Sequence, residues 1–435
     1  MKRLNLKSIR MAAVTLMLTI LISITFLGDA FACTSAIFTG KVTKDGRPLM
    51  WKNRDTGELN NRLEYFKGPL FGFVGLVNSP SKGGEAWAGS NEVGFCIMNT
   101  ASYNIDLAED RKLEKDGEGV LMYRALGVCK TLQDFEHFLD TMTKPAPIEA
   151  NFGVIDAFGG AAYYEVNSRT WTKLDVNDPK VAPNGYFVVT NFSFTGREDE
   201  GMGYIRYTSA QYLVDKAFSE GIKFTPQWII YNLSRSFYHS QLGVDVVESG
   251  IVKQTNGWFI DQDFIPRKST SAISIFQGVN PGEDPGNTIY WCALGYGPLA
   301  VCIPVIMKYL PDISCGMVSL KQMHNQDKAQ QFLNDYKGLK KNYSILNFLS
   351  LQLKKKVFPI KRGNGNKYIN INLLFNDKGT GYTQELQKVE NKIFTKTEAA
   401  LEKLRKGENL TKEEVHSLYN YKEVLDTYNL LLRGF

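Results

Sequence analysis

The 435-residue chain carries 51 Lys and Arg residues against 45 Asp and Glu, a formal net charge of +6 at pH 7. Hydrophobic residues make up 43% of it and aromatic residues 12%, which is typical of a globular protein and excludes a disordered chain. No segment combines clustered Lys and Arg with interleaved aromatic residues, so we expect no nucleic-acid partner. No C-x-x-C pair occurs and the four histidines are scattered, so we expect no metal and no other cofactor.

Residues 1–32 have the three parts of a secretory signal peptide. Basic residues precede the apolar run 11–27, and Ala30 and Ala32 form a small-x-small cleavage site directly before Cys33. We therefore predict an exported protein, periplasmic or secreted, whose mature chain begins at Cys33. A retained membrane anchor and lipidation of Cys33 stay open as alternatives, and only these would attach the protein to a membrane.

An N-terminal Cys33 would carry a nucleophile and a base on one residue. A free α-amine titrates at about 8 and a thiol at about 8.5, so the amine can take up the thiol proton near neutral pH. The other five cysteines cannot all pair with one another, because their number is odd. We expect no dense disulfide framework, with a single bridge left open, and buried free thiols at Cys96 and Cys302.

From Cys33 to about Met317, short β-type runs alternate with turn residues. The predicted strands are 34–39, 49–53, 86–89, 94–99, 153–157, 161–166, 271–277, 287–294 and 300–305. Helical spacing of apolar residues predicts helices over 118–128, 132–142, 207–218 and 226–234. A hairpin turned by Asp45-Gly46-Arg47-Pro48 would set residues 52–55 beside Cys33. This order of elements indicates a layered α/β fold with largely antiparallel sheets.

Beyond about Lys321 the sequence becomes helical and charged. Segments 384–404 and 411–432 are predicted helices, and Thr411 with Glu414 fits a capping box. We therefore divide the mature chain into a catalytic domain, 33–320, and a helical C-terminal extension, 321–435, that packs on it. Dimerisation, which would make the protein a homo-oligomer, and cover of a substrate pocket stay open as further roles.

Four short motifs, taken in their order and spacing, resemble the N-terminal-nucleophile (Ntn) cysteine hydrolases. They are Cys33-Thr34-Ser35, Lys52-Asn53-Arg54-Asp55, Asn91-Glu92-Val93-Gly94 leading to Asn99, and Thr190-Asn191. This superfamily includes choloylglycine hydrolases, penicillin V acylases and the acyl-coenzyme A:6-aminopenicillanic acid acyltransferases, and the likeness is to the acyltransferase-like branch. It covers roughly residues 33–305 and implies a four-layer αββα sandwich of antiparallel sheets.

The resemblance also implies a role for each matched residue. Cys33 would be the nucleophile, Asp55 the carboxylate that orients it, and Asn99 and Asn191 the donors of an oxyanion hole. Turn positions without a catalytic role stay open for Asp55 and both asparagines, and Asn91 is predicted to make a hairpin turn.

The resemblance leaves alternatives open at two basic positions. The family pattern is Arg-Asn-x-Asp, where this chain has Lys52-Asn53-Arg54-Asp55, so either Lys52 or Arg54 takes the place of the arginine. Arg206 resembles a family arginine near the nucleophile. A surface position at the start of a helix is the alternative for Arg206.

The predicted function is hydrolysis of a linear amide through a thioester on Cys33. The expected partner is a small-molecule amide of the N-acyl amine or N-acyl amino acid type. Acyl transfer to an amine and dipeptide hydrolysis are alternatives on the same scaffold. An alternative of another class is a non-catalytic binding protein anchored through Cys33 or its leader.

Overall fold

The computed structural model describes residues 32–110, 117–310, 316–419 and 421–434. The predicted signal peptide lies outside these residues except for Ala32, and so does Cys315. Every pairing between two named strands is antiparallel, as predicted. None of the helices in the described ranges combines the length and the apolar character that a bilayer span requires.

Strands and helices are numbered here along the chain. The strands are β1 (Thr34–Phe38), β2 (Leu49–Asp55), β3 (Asn61–Phe66), β4 (Phe73–Asn78), β5 (Ala88–Asn91), β6 (Cys96–Ala101), β7 (Ala150–Ile155), β8 (Ala161–Val166), β9 (Trp171–Asp175), β10 (Tyr186–Val189), β11 (Tyr238–His239), β12 (Val244–Asp245), β13 (Trp258–Ile260), β14 (Thr270–Gln277), β15 (Ile289–Leu294), β16 (Cys302–Ile306) and β17 (Tyr368–Asn370). The helices are α1 (Glu118–Val128), α2 (Leu132–Thr141), α3 (Tyr204–Ser219), α4 (Pro226–Trp228, continued by a π-helical turn, Ile229–Ser234), α5 (Gln326–Asp335), α6 (Ile345–Val357), α7 (Tyr382–Arg405), α8 (Lys412–Leu418) and α9 (Lys422–Arg433).

The first large sheet is built around the predicted β1–β2 hairpin. Its strand order is β10-β1-β2-β14-β15-β16. Strands β1, β2 and β14 are buried along their whole length, because both faces of the sheet are covered. The hairpin register sets Lys52 opposite Ser35. The end of β2 therefore lies beside the start of β1, as the sequence predicted.

The second large sheet is an antiparallel meander in the order β3-β4-β5-β6-β7-β8-β9. The predicted pairs β5–β6 and β7–β8 form its centre. The sequence analysis did not find β3, β4 and β9. Strands β3 and β9 are the two edges of the sheet and are only partly buried, which weakens the apolar alternation that reveals a strand.

Three buried clusters separate the fold into layers. Between the sheets, Ile37 and Met50 of the first pack with Met98 and Tyr163 of the second. The outer face of the first sheet packs on α3, α4, α7 and α8, and the outer face of the second packs on α1 and α2. The order helix, sheet, sheet, helix is the four-layer αββα sandwich that the motif resemblance implied.

The buried side chains of the C-terminal helices pack against side chains of the first sheet. Phe394 of α7 stacks on Trp291 of β15 with ring centroids 4.6 Å apart. The prediction of a single helix over 411–432 is wrong, because the chain turns between α8 and α9. The turn lets Leu418 of α8 pack on the outer face of the first sheet, while Tyr428 of α9 belongs to the cluster that also contains the residues between the two sheets. The capping box of Thr411 and Glu414 is present.

The described cysteines are all buried free thiols: Cys33, Cys96, Cys129, Cys292 and Cys302. Cys96 lies in β6 and Cys302 in β16, as the sequence predicted for these two. Burial raises the pKa of the Cys96 and Cys292 thiols to about 12. These two thiols are therefore protonated and poorly nucleophilic near neutral pH.

Candidate active site

Cys33 lies directly before the first residue of β1, an inner strand of the first sheet. Continuing the strand registers by one or two residues sets Cys33 opposite Arg54 on one side and opposite Asn191 on the other. Side chains alternate along a strand, so Cys33 shares a face with Ser35. The Ser35 hydroxyl is 3.0 Å from Tyr163 Oη of the second sheet, which identifies this face as the one between the sheets. Only 6% of Cys33 is exposed.

Arg206, in the first turn of α3, is fully buried and anchors the start of β1. Its Nη1 donates to Cys33 O at 2.7 Å and to Thr34 Oγ1 at 2.8 Å, and its Nη2 donates to Asn191 Oδ1 at 2.9 Å. Burial lowers its pKa. Gly203 has a φ of +81°, and a Cβ there would come within 2.4 Å of Arg206 Nη2. Arg206 is therefore part of the site's framework, and the alternative of a surface position is wrong.

Lys52 and Asn99 meet between the two sheets. The Lys52 ammonium donates to Asn99 Oδ1 at 2.8 Å and to Trp87 O at 2.9 Å. Burial lowers the pKa of Lys52 to about 8, an effect that Cys33 opposes and Arg54 reinforces. Lys52 thus holds the Asn99 amide by its oxygen, which leaves the amide nitrogen available to donate elsewhere.

Arg54 shares the inter-sheet face with Lys52 but is held by other partners. It donates to Asn61 Oδ1, and its Nη2 donates to Asn78 Oδ1 at 3.0 Å. Its guanidinium carbon lies 5.0 Å from the centre of the Trp87 ring. Burial lowers its pKa to about 10. Of the two basic residues that could replace the family arginine, Lys52 is the one in contact with a predicted oxyanion donor.

Asp55 ends β2 and is almost completely buried. Its Oδ1 accepts from Thr270 Oγ1 at 2.6 Å, while its Oδ2 has no hydrogen-bond partner among the described residues. The Nε atom of Arg267 lies 3.9 Å from Oδ2. Burial raises the pKa of Asp55 and the charges of Arg267 and Arg206 lower it in part, so that it lies at about 6, above the ordinary value of 3.8. The alternative of an exposed turn position for Asp55 is therefore wrong.

The two asparagines predicted as oxyanion donors come from different sheets but lie at the same end of the sandwich. Asn191 Nδ2 donates to Ala101 O at 2.8 Å, and Ala101 is two residues beyond Asn99 on β6. The oxygens of both amides accept from cations, Asn99 from Lys52 and Asn191 from Arg206. Both amide nitrogens are thereby oriented as donors.

Asn91 has a structural role, as its predicted place in a hairpin turn suggested. Its side-chain oxygen accepts from Phe95 N at 2.9 Å across the β5–β6 turn. Its side-chain nitrogen donates to Leu126 O and Cys129 O at the end of α1. Asn91 thus ties the hairpin to the outer helix, away from Cys33.

The six residues predicted from sequence converge around the start of β1, but the sequence analysis missed Thr270 and Arg267. Both reach Asp55 because β14 pairs with β2. Their position, more than 200 residues along the chain from Asp55, leaves no local signal that could have identified them. Among the described residues, no cluster of three or more His, Cys, Asp or Glu could hold a metal ion.

No protein-family model and no curated protein sequence matches the chain. Solved structures similar to it include an N-acylethanolamine-hydrolyzing acid amidase ortholog from Caenorhabditis elegans, with 14% identity over 58% of this chain and 93% of that one and a TM-score of 0.38. A variant of the conjugated bile acid hydrolase from Clostridium perfringens has 12% identity, coverages of 63% and 92%, and a TM-score of 0.37. The penicillin V acylase from Agrobacterium tumefaciens has 12% identity, coverages of 64% and 87%, and a TM-score of 0.36.

Identities and TM-scores this low do not assign an activity to the chain. The buried clusters and the strand order of this chain establish its four layers, in the order helix, sheet, sheet, helix. With Cys33 at the start of an inner strand, the chain has the four-layer αββα fold of the Ntn hydrolases, the superfamily that its sequence motifs resemble.

Proposed function

We propose that this protein is an exported Ntn cysteine hydrolase that cleaves a linear amide through a thioester on Cys33. The observation that carries the proposal is the set of groups around the start of β1. Two asparagine amides, one from each sheet, are oriented as donors by Lys52 and Arg206. Acyl transfer requires donors of this kind where negative charge develops on the carbonyl oxygen.

The buried Asp55 carboxylate supports the N-terminal form of the mechanism. Continuing the β1–β2 register by two residues sets Ala32 opposite Asp55. Cleavage of the Ala32–Cys33 bond would create an α-ammonium beside this carboxylate, whose Oδ2 has no hydrogen-bond partner among the described residues and only a 3.9 Å contact with Arg267. A buried carboxylate is stabilised by pairing with a cation, so Asp55 would hold the new amine next to the thiol.

The proposed reaction has two steps. The Cys33 amine takes the thiol proton, the sulfur attacks the carbonyl carbon, and the resulting oxyanion accepts from Asn99 and Asn191. The C–N bond then breaks, and the leaving amine takes the proton from the α-ammonium. In the second step the α-amine deprotonates a water molecule that attacks the thioester. The C–S bond breaks, the acid leaves and the thiol regains its proton.

Aromatic side chains beside the site favour a substrate with an apolar acyl group, such as an N-acyl amine or N-acyl amino acid. Phe192 follows Asn191 directly and stacks on Tyr204 with ring centroids 4.8 Å apart. Phe194 packs on Phe192 at 5.2 Å, and 42% of Phe194 is exposed. These rings form an apolar surface next to the asparagine that would bind the carbonyl oxygen.

The test is the intact mass of the mature protein, alone and after acid quench during turnover of a panel of acyl amides. We expect an unmodified chain beginning at Cys33 and, with a substrate, an added acyl group on that residue. Cys33→Ala should fold normally, form no adduct and lose at least about 10⁴-fold in turnover, as expected when a nucleophile is removed.

Three results would overturn the proposal. They are turnover that persists in Cys33→Ala, a lipid adduct on Cys33, and a leader that is retained in the active protein. A lipid or a leader would block the amine that serves as the base. A protein that binds amides but turns over none of the panel would instead be a binding protein.

A further inference from the structure

Segment 261–270, between β13 and β14, forms one wall of the candidate site. Thr270 Oγ1 donates to Asp55, and the Thr270 oxygen also accepts from Arg267 N at 3.0 Å. The chain next to Asp55 is bound as well, because Thr56 N donates to Ser269 O at 3.0 Å. The position of this segment therefore determines how the Asp55 carboxylate is held.

The opposite side of segment 261–270 is bound by the C-terminal extension. The ammonium of Lys354, on α6, donates to Lys268 O. Lys268 N in turn donates to Asp261 Oδ2 at 2.7 Å, and Asp261 N donates to Lys367 O at 2.7 Å. Strand β17 of the extension also pairs with β13, which leads into the segment. The extension thus contacts this segment through the Lys354 side chain and the Lys367 backbone, and it contacts the preceding strand β13 through β17.

Among these contacts, Lys354 is the residue of the extension whose own charge is buried. It is 6% exposed, and its ammonium lies 5.6 Å from the centre of the buried Tyr296 ring. The next residue, Lys355, is exposed and donates to Gln352 on its own helix. A buried ammonium is costly unless it compensates other groups, so its position needs an explanation beyond helix packing.

We propose that Lys354 is a positioning residue for Asp55: it holds segment 261–270 against the end of β2 and supplies positive charge that keeps the carboxylate ionised. The inference rests on the proposed function, in which ionised Asp55 holds the Cys33 amine. It assigns the C-terminal extension, which lies outside the motif resemblance, a part in the active site.

The charges around Asp55 determine the expected pH behaviour. Burial raises the pKa of Asp55 and three cations lower it in part, so that it lies at about 6. These cations are, from the strongest to the weakest, Arg267 of the segment, Arg206 of α3 and Lys354 of α6. Asp55 also interacts with Asp261, Tyr296 and, on its own strand, Lys52. Asp261, whose pKa burial likewise raises to about 6, is the charge that acts most strongly on Lys354, ahead of Lys268 and Asp55. Burial lowers the pKa of Lys354 to about 8, so its ammonium is charged at pH 7. Without that charge the pKa of Asp55 rises further.

The experiment compares Lys354→Met, Lys354→Arg and the matched control Lys355→Met with the wild-type protein. The pH dependence of kcat and KM is measured for each. We expect Lys354→Met to lower kcat about tenfold or more, with KM nearly unchanged, and to move the acid limb of the profile to higher pH. Lys354→Arg should restore the limb, and Lys355→Met should leave both parameters unchanged.

An acid limb in Lys354→Met that coincides with that of the wild type would overturn the inference, even if kcat falls, because a purely structural residue would behave in this way. If Lys354→Met does not fold, Lys354→Gln takes its place, since it keeps a donor to Lys268 O without the charge. An unmoved limb in that variant is equally decisive.

A substrate-free measurement separates this inference from the proposed function. The rate of Cys33 alkylation by iodoacetamide, followed by intact mass across the pH range, reports formation of the Cys33 thiolate without any turnover, and the charge on Asp55 influences that step. An inflection that moves in Lys354→Met supports the role of Lys354 even if no amide in the panel is cleaved. An active wild type with the same inflection in both proteins overturns the role of Lys354 alone.

Discussion

Two groups of buried charges lie on the first sheet, and they differ in how completely they are paired. In one, Arg235 and Glu390 form a two-pronged ion pair at 2.8 and 2.9 Å, and each side chain is 1% exposed. Arg235 also donates to Gly297 O and Ala300 O, and Glu390 accepts from Cys302 N at 2.6 Å. This pair binds α7 of the C-terminal extension to the core with its hydrogen bonds satisfied.

The second group, around Cys33, is incomplete. Asp55 Oδ2 and Arg206 Nε are buried without a hydrogen-bond partner among the described residues. Burial raises the pKa of Asp55 to about 6 and lowers that of Lys52 to about 8, so both groups titrate near neutral pH. Functional sites typically contain buried ionisable groups whose pKa values are shifted toward neutral pH and whose hydrogen bonds are incomplete. A buried ion pair with all its hydrogen bonds formed typically has a structural role. Mutations in the Arg235–Glu390 pair should therefore change mainly stability, whereas mutations around Cys33 should change mainly turnover.

The largest expected effect comes from breaking the structural pair. Arg235→Met leaves Glu390 buried and unpaired, which should lower the free energy of unfolding by about 3 to 5 kcal/mol. Urea denaturation gives this value, and activity per folded molecule should persist. Replacing both partners with apolar residues should recover most of the loss. A loss below about 1 kcal/mol in Arg235→Met would mean that the pair does not hold the extension in place.

The next effect concerns turnover per folded molecule, because Asn99→Ala also removes an acceptor of the buried Lys52 ammonium and so lowers stability. Asn99→Ala removes an oxyanion donor and should lower kcat by about 10² to 10³-fold, which corresponds to about 3 kcal/mol. Asn91→Ala is the matched control, because Asn91 belongs to the same hairpin and binds only backbone groups of α1 and the turn. The control should lose about 1 to 3 kcal/mol of stability and keep its kcat per folded molecule. If Asn91→Ala lowers kcat as much as Asn99→Ala does, the assignment of Asn99 is wrong.

The smallest effect is a gain in stability at the site itself. The pKa of Asp55 is about 6 in the folded protein, above its ordinary value of 3.8. Its contribution to stability is therefore present below pH 4 and lost as the pH rises through 6. Asp55→Asn does not ionise. In the chain whose Ala32–Cys33 bond is intact, so that no α-ammonium pairs with Asp55, the variant should be more stable than wild type by about 2 to 3 kcal/mol at pH 8 and equal to it at pH 4.

Urea denaturation of Asp55→Asn and wild type at both pH values checks this difference, and turnover should be lost in the variant. Equal stability at pH 8 would show that Asp55 is fully compensated. In that case the contrast with Arg235 and Glu390 would disappear.

Local patterns in the sequence predicted most elements because each depends on neighbouring residues. The bounds of α1 match the predicted 118–128, since apolar spacing sets both ends. The capping box at Thr411 and Glu414 was predicted from two residues three positions apart. The break between α8 and α9 was missed because it depends on which buried cluster each helix joins, and that is a tertiary property.

The candidate site was predicted in part, since the motifs supplied its six residues without their contacts. Strand alternation sets Lys52 and Arg54 on the same face, so the sequence could not decide between them. The structure separates them by partner, because Lys52 contacts Asn99 and Arg54 contacts Asn61 and Asn78.

The sequence by itself determined the short elements, the first hairpin and the residue types around Cys33, because these follow from local periodicity, turns and motif spacing. The tertiary structure alone decided the partners of those residues. Asp55 meets Thr270 and Arg267, and segment 261–270 meets Lys354, through strand and helix contacts between distant parts of the chain. Burial, which shifts the pKa values of Asp55 and Lys52 toward neutrality, likewise exists only once the sheets and helices have packed together.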